Sequence, residues 1–330
     1  MRIIIYLSKL KNSLKKALKI VLPIALGVFL VLYSYTSTTP EDRKQIIFYI
    51  KEANIFWVGI SILMGILSHI SRAIRWNYLL EPLGYKPKLS NNILIILTSY
   101  FANLGIPRSG EILRATALTT YEGVPFEKGF GTIVTERVID LIMLLLIIVI
   151  TFFLQTDIIL AFFQTKGFNL TKIFILLAIA AIAIGLFFYL LKRSSHPFLL
   201  KLKKFIAGLL QGVTSIFRMK NKWAFIFHTF FIWGVYIGMF LVIKYTVPET
   251  INLTISQLLV AFVFGAFAMT ATNGGIGLYP IVVSSALTIF GISSISGDAF
   301  GWIMWISQTL MVVVFGAISF LVLPLLNRNQ

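Results

Sequence analysis

Long apolar runs alternate with short polar connections along the whole chain. Six of them, residues 20–35, 55–70, 138–154, 173–191, 223–242 and 302–323, read as full membrane-spanning helices once flanking residues are included. Two other apolar regions do not fit that reading. Residues 93–106 are a mainly apolar run of 14 positions, short for a crossing, and run into the break Pro107-Arg-Ser-Gly110. Residues 255–270 and 276–290 are two short legs around Thr272-Asn-Gly-Gly-Ile-Gly277. A helix that stops partway through a bilayer leaves backbone groups unpaired, so protein or water must surround the break. Each region therefore reads as a re-entrant helical hairpin.

The polar connections set the orientation. Residues 34–40 lack a small-x-small cleavage pattern, so an uncleaved first helix with its N-terminus inside is expected. Residues 36–54 carry balanced charges and read as an outside loop with a short interfacial helix. Suppose the two hairpins enter from opposite faces and each leaves where it entered. The cytoplasmic side then receives six Lys/Arg in residues 1–19, four in 71–88, four in 108–137, eight in 192–222, and Arg328. That makes 23 of the 29. If residues 93–106 crossed fully, the basic 192–222 loop would face outside, against the positive-inside rule. The expected fold is an all-α polytopic membrane protein with six transmembrane helices and two oppositely oriented re-entrant hairpins, about eight membrane elements. It forms one transmembrane domain over residues 1–330, with both termini cytoplasmic, in a bacterial or archaeal plasma membrane. Broken segments paired between two halves point to a midplane site on an inverted repeat.

Composition narrows the function. The chain is 58% hydrophobic and 12% charged, outside the range of soluble domains. A net charge of +17 suggests a nucleic-acid partner at first sight. Basic loops facing anionic lipid on the cytoplasmic side account for it better, and no nucleic acid is expected. There is no cysteine, and His69, His196 and His228 lie far apart without ligand spacing, so neither metal nor cofactor is expected. No GxxxxGK[ST] loop, HExxH helix or legible Ser/His/Asp arrangement is present. The longest polar stretch, residues 192–222, is too short to fold as a soluble catalytic domain.

The candidate chemistry is charged and intramembrane, where charge is costly and usually functional. Arg72 and Arg75 share a helix face, with Trp76 expected at headgroup level. Asn103, Arg108, Glu111 and Arg114 surround the first break. Two arginines against one carboxylate leave surplus positive charge, and planar guanidinium groups suit phosphate. Arg108, between Pro107 and Gly110, is the expected phosphate contact of that hairpin. Glu136 and Asp140 are a like-charge i,i+4 pair that Arg137 cannot satisfy alone. Asn273, Gly274 and Gly275 offer backbone N–H groups to an anion.

Three pieces carry a family resemblance: Arg72-x-x-Arg75-Trp76-x-x-Leu79, then Asn103-x3-Pro107-Arg108-x-Gly110-Glu111-x-x-Arg114, then Glu136-Arg137-x-x-Asp140. Together they resemble the transmembrane region of lysylphosphatidylglycerol synthetases, a flippase-like group, over nearly the whole chain. The second hairpin is similar to the family's Pro-Gly-Gly-x-Gly element, with Asn273 in place of Pro and Tyr279-Pro280 where many members have Glu. In larger members a soluble domain transfers an amino acid from tRNA to phosphatidylglycerol, and the membrane region moves the product. The resemblance thus implies a non-enzymatic translocator of an anionic or aminoacylated phospholipid or lipid-linked headgroup. The arginines would hold a phosphate, and Glu111, Glu136 and Asp140 a cationic group or proton. Two alternatives stand beside it: a lipid-modification subunit working with a separate catalytic enzyme, and a small-solute transporter.

Overall fold

The computed structural model describes residues 25–158 and 219–328, with isolated positions outside those ranges. Residues 1–19, most of the apolar run 173–191 and most of the basic stretch 192–222 lie outside the described residues. Among the described residues every element is helical and there is no strand. The helices are α1 (Ala25–Ser37), α2 (Pro40–Lys51), α3 (Ile55–Leu80), α4 (Leu89–Gly105), α5 (Ser109–Glu122), α6 (Phe126–Leu154), α7 (Lys222–Ile243), α8 (Ile255–Ala271), α9 (Leu278–Thr288) and α10 (Ser294–Leu326).

Four of these, α3, α6, α7 and α10, are long and apolar enough to cross a membrane, and they match four of the six expected spans. The short helix expected in residues 36–54 is α2. Thr39 accepts a hydrogen bond from Asp42 N, Pro40 opens the first turn, and acids lead while Lys51 closes. Two spans begin earlier than the apolar pattern indicates. α6 starts at Phe126 rather than near Val138, just after the Gly123-Val-Pro125 break. α10 starts at Ser294 rather than Trp302 because Ser293 caps Ser296 N. The Ser293 cap extends α10, and the end of the Gly123–Pro125 break sets the start of α6, in residues that hydrophobicity does not mark.

The chain divides into two compact units. Val134–Lys222 contains most of α6. Met1–Ile133 with Trp223–Gln330 contains the other described helices and the first turns of α6.

Within that larger unit α10 is the axis. Its 33 residues span about 50 Å at 1.5 Å per residue. α4 runs antiparallel to it. Asn91 and Asn327 exchange hydrogen bonds of 2.9 and 3.0 Å at the C-terminal end of α10. Further along, Gly316 lets α4 approach so closely that a Cβ there would lie 2.9 Å from the Leu97 carbonyl oxygen and 2.5 Å from Phe101 Cβ. α5 then folds back along α4. From the other end, α9 runs antiparallel to α10, with Ser284 against Gly297 and Pro280 against Gly301, and α8 packs on α9. The pairs α4/α5 and α8/α9 are therefore helical hairpins that approach along α10 from opposite ends. α3 crosses α10 beside their meeting level, where Gln308 Nε2 donates to Ser61 Oγ at 3.3 Å.

Candidate functional site: hairpin tips and a buried arginine cluster

The two tips touch. Asn273 Nδ2 donates to the Leu104 carbonyl oxygen at 2.6 Å. Trp305 Nε1, from α10, donates to the Gly274 carbonyl oxygen at 2.8 Å. Both bonds satisfy carbonyls that a helix break exposes.

The first tip is closed from within. Gly110 N, in the first turn of α5, donates to Asn103 Oδ1 at 2.7 Å. Ser109 Oγ donates to the Ala102 and Ile106 carbonyls. A Cβ at Gly110 would collide with the Ser99 carbonyl oxygen, so glycine is required for the legs to close. Arg108 sits between them with φ 61°, ψ 15°, and is exposed. Among the described residues it is the one non-glycine in the left-handed region. That conformation costs about 1–2 kcal/mol for an L-residue. It turns the chain where Pro107 has fixed the preceding backbone.

Further from the tip, three arginines are buried: Arg72 and Arg75 on α3 and Arg114 on α5, each at most 2% exposed. Arg72 donates to Tyr236 Oη on α7 at 3.2 Å. Arg75 donates to Thr229 Oγ1 at 3.4 Å and lies over the Phe225 ring. Tyr236 and Thr229 are two turns apart on α7, so one helix face serves both arginines. The Arg114 guanidinium stacks 3.8 Å from the centre of the Trp76 ring. Trp76, expected as an anchor at headgroup level, does not reach the protein surface. It is fully buried, with Nε1 donating to Thr132 Oγ1 at 2.9 Å. A buried indole needs a partner for its N–H, and its face offers a cation–π seat.

The other candidates fall in different places. Glu111 lies half-buried on the first turn of α5, on the same helix as Arg114. Asn273 and Gly275 are buried in the second tip, with Gly274 and Gly275 at φ 62° and 76°. Glu136, fully buried, Arg137, exposed, and Asp140, half-buried, lie on α6 in the second compact unit. Among the described residues no group of His, Cys, Asp and Glu is arranged to hold a metal ion.

Sequence reading missed Tyr236, Thr229 and the aromatic seat for Arg114. It also missed a buried polar knot at the base of the first hairpin. There Asn91 donates to Glu122 Oε1 at 2.5 Å, Lys88 N donates to Glu122 Oε2 at 3.1 Å, and Asn92 donates to Asn77 Oδ1. Asn91-Asn92 at the head of an apolar run was the available signal, since an amide entering a membrane helix needs partners.

Comparison with known proteins fits this architecture. The family model described as the lysylphosphatidylglycerol synthase TM region matches residues 20–325. The chain is 24% identical over 295 residues to a UPF0104 membrane protein of Methanocaldococcus jannaschii, covering 83% of this chain and 79% of that protein. It is 29% identical over 98 residues to a UPF0104 membrane protein of Methanothermobacter thermautotrophicus, 29% of this chain and 28% of that one. A 102-residue segment is 29% identical to the glycosyltransferase AglD of Haloferax volcanii, 31% of this chain and 16% of that protein. No solved structure matches at a significant level.

Proposed function

The chain belongs to the lysylphosphatidylglycerol synthase TM-region family, and from that premise we propose that it moves the headgroup of a phosphate-bearing lipid between membrane leaflets. The observation that carries the proposal is three buried arginines, two on α3 and one stacked on α3's Trp76, beside two oppositely directed hairpins that meet tip to tip. The hairpin legs α4, α5, α8 and α9 have 17, 14, 17 and 11 residues, about 25, 21, 25 and 17 Å, each shorter than a bilayer's hydrocarbon core. Both hairpins enter partway, from opposite faces, as an inverted repeat. The meeting level is then the midplane, and the six spans with two hairpins make eight membrane elements.

In this reading Arg72, Arg75 and Arg114 bind the phosphate on the side of the first hairpin's base, and Arg108 waits at its tip. The bilayer retains the acyl chains while the headgroup passes through protein. Glu111, Glu136 and Asp140 serve a cationic headgroup or a coupling proton. The base of the first hairpin is cytoplasmic, as the basic loops require, and the chain itself carries no transferase chemistry. Reconstitution tests the proposal. Liposomes containing the pure protein and a fluorescent phosphatidylglycerol are expected to exchange it between leaflets, and folded Arg114→Gln to slow exchange tenfold or more. Protein-free rates in wild-type liposomes would refute the reading.

A second reading has one specific observation in its favour, the segment shared with a protein named a glycosyltransferase. There the chain presents a lipid to a separate lipid-modifying enzyme. Exchange by the pure protein without any partner separates the first reading from this one.

A further inference from the structure

α7 carries a sharp boundary that the proposed translocation has not used. On one face Phe225, Thr229 and Ile232 are buried beside the α3 arginines. On another, Trp223, Phe227 and Phe230 are 74%, 62% and 55% exposed, as a lipid-facing surface would be. His228 lies on the border, half-buried. Its Nδ1 shares a 2.8 Å hydrogen bond with Ser71 Oγ, next to Arg72. Its ring lies 5.5 Å from that of Phe227 on the lipid side and 6.0 Å from that of Tyr78 on α3.

We propose that the α3–α7 seam is the portal through which a lipid headgroup reaches the arginines, and that His228 is its proton-sensitive phosphate ligand. The inference rests on the translocation reading and adds a residue and a pH dependence to it. Three geometric points support it. A lipid whose phosphate sits on Arg72 and Arg75 and whose chains remain in the bilayer must straddle a border between a buried cationic face and an exposed apolar one. His228 occupies that border. Ser71 engages Nδ1, which orients the ring and leaves Nε2 as the nitrogen for a proton and a phosphate oxygen.

The charge logic follows from the neighbours. Beside His228 lie the Tyr78 ring and, through Ser71, the stretch of α3 that carries Arg72 and Arg75. Protonation of the imidazole adds a positive charge at the seam. A phosphodiester brings negative charge and favours it. Binding and protonation are therefore linked: lipid binds more tightly at low pH, and a proton is taken up with it. Histidine is suited to this because its ordinary titration range lies near neutrality.

The test is binding of dioctanoyl phosphatidylglycerol, whose phosphodiester keeps one charge throughout, to the detergent-purified chain between about pH 5.5 and 8. Wild type is expected to bind about tenfold more tightly at the low end. Folded His228→Asn is expected to be weak and flat with pH, and His228→Arg flat and tight. The soluble headgroup glycerophosphoglycerol should bind more weakly than the lipid but with the same pH profile. Equal affinity for the two would remove the lipid portal. A wild-type pH profile in His228→Asn, or a flat wild-type profile, overturns the role of His228. Should His228→Asn fail to fold, the wild-type profile and His228→Arg still decide. Arg75→Gln separates the two layers. If it abolishes binding while His228 variants behave as wild type, the translocation reading stands and this inference falls. If Arg75→Gln also binds normally, the reading itself falls.

Discussion

The two hairpins are closed alike at their bases and differently at their tips. At each base a glutamate takes two hydrogen bonds across the gap. Glu122 accepts from Lys88 N and Asn91 Nδ2 at the first hairpin, and Glu249 from Ser293 N and Ser293 Oγ at the second. At the tips the chemistry diverges. The first closes with side chains of its own legs, Asn103 and Ser109, and carries Arg108, Glu111 and Arg114. The second has no charged residue from Ile255 to Thr288. It is pinned from outside by Trp305 and by α1, where Gly277, at φ 71°, comes within 2.5 Å of the Gly27 carbonyl for a built Cβ. One backbone arrangement thus has two solutions: a charged hairpin closed by its own side chains and an uncharged one pinned against α10. This also explains why the breaks share so little sequence.

The largest expected effect breaks the first tip. Gly110→Ala forces a methyl into the Ser99 carbonyl, and neither backbone segment is free to give. A loss of about 3 kcal/mol or more is expected, read as thermal unfolding in detergent. Gly105→Ala, five residues away in open space, should cost little. Equal effects would mean that the legs do not close as described.

The contact between tips comes next. Asn273→Ala removes the donor to Leu104, and Trp305→Phe the donor to Gly274. Each leaves a carbonyl without that donor, for about 1–3 kcal/mol. Trp305→Phe should loosen the second tip alone, seen as faster hydrogen exchange confined to residues 272–278.

Arg108→Gly sharpens the asymmetry from the other direction. It relieves a left-handed arginine but frees the unfolded chain, for a net gain of about 0.5–1 kcal/mol. If Arg108 serves the headgroup, the more stable variant transports more slowly. Greater stability with unchanged transport would make Arg108 a turn residue only.

The smallest effect concerns the bases. Hydrogen bonds from Ser293, its backbone N–H foremost, hold the Glu249 carboxyl below its ordinary value. Its contribution to stability is therefore complete above the ordinary carboxylate range and is lost as pH falls through the depressed value. The group is exposed, so the change is small. Glu249→Gln should cost a little stability at neutral pH and almost none in acid, which flattens that part of the acid unfolding profile.

These details show what the sequence carried. The breaks were legible because Pro107, Gly110 and the Gly274–Gly277 cluster interrupt apolar runs that are too short to cross. The arginine pair was legible because its members are i,i+3 on one helix. What holds those arginines was not. Thr229 lies 154 residues from Arg75 and Tyr236 lies 164 from Arg72, and spacing along one helix says nothing of a partner on another. Asn103 read as a ligand for headgroup, yet its oxygen closes the turn on Gly110, since a helix start needs an acceptor and Arg108 supplies none. Trp76 read as an interfacial anchor because Trp after a basic helix end usually is one. Arg114, brought back by the hairpin, converts it into a buried seat.

Entry of the two hairpins from opposite faces is what the proposed translocation needs most, and thiol labelling in oriented vesicles tests it directly. The chain has no cysteine, so single replacements report cleanly. Lys86→Cys and Thr120→Cys flank the first hairpin, and Ile251→Cys and Thr288→Cys the second; all four positions are exposed. A membrane-impermeant reagent is expected to reach the first two from one side only and the last two from the other side only. Labelling of Lys86→Cys and Thr120→Cys from opposite sides, or of all four from the same side, would contradict the account.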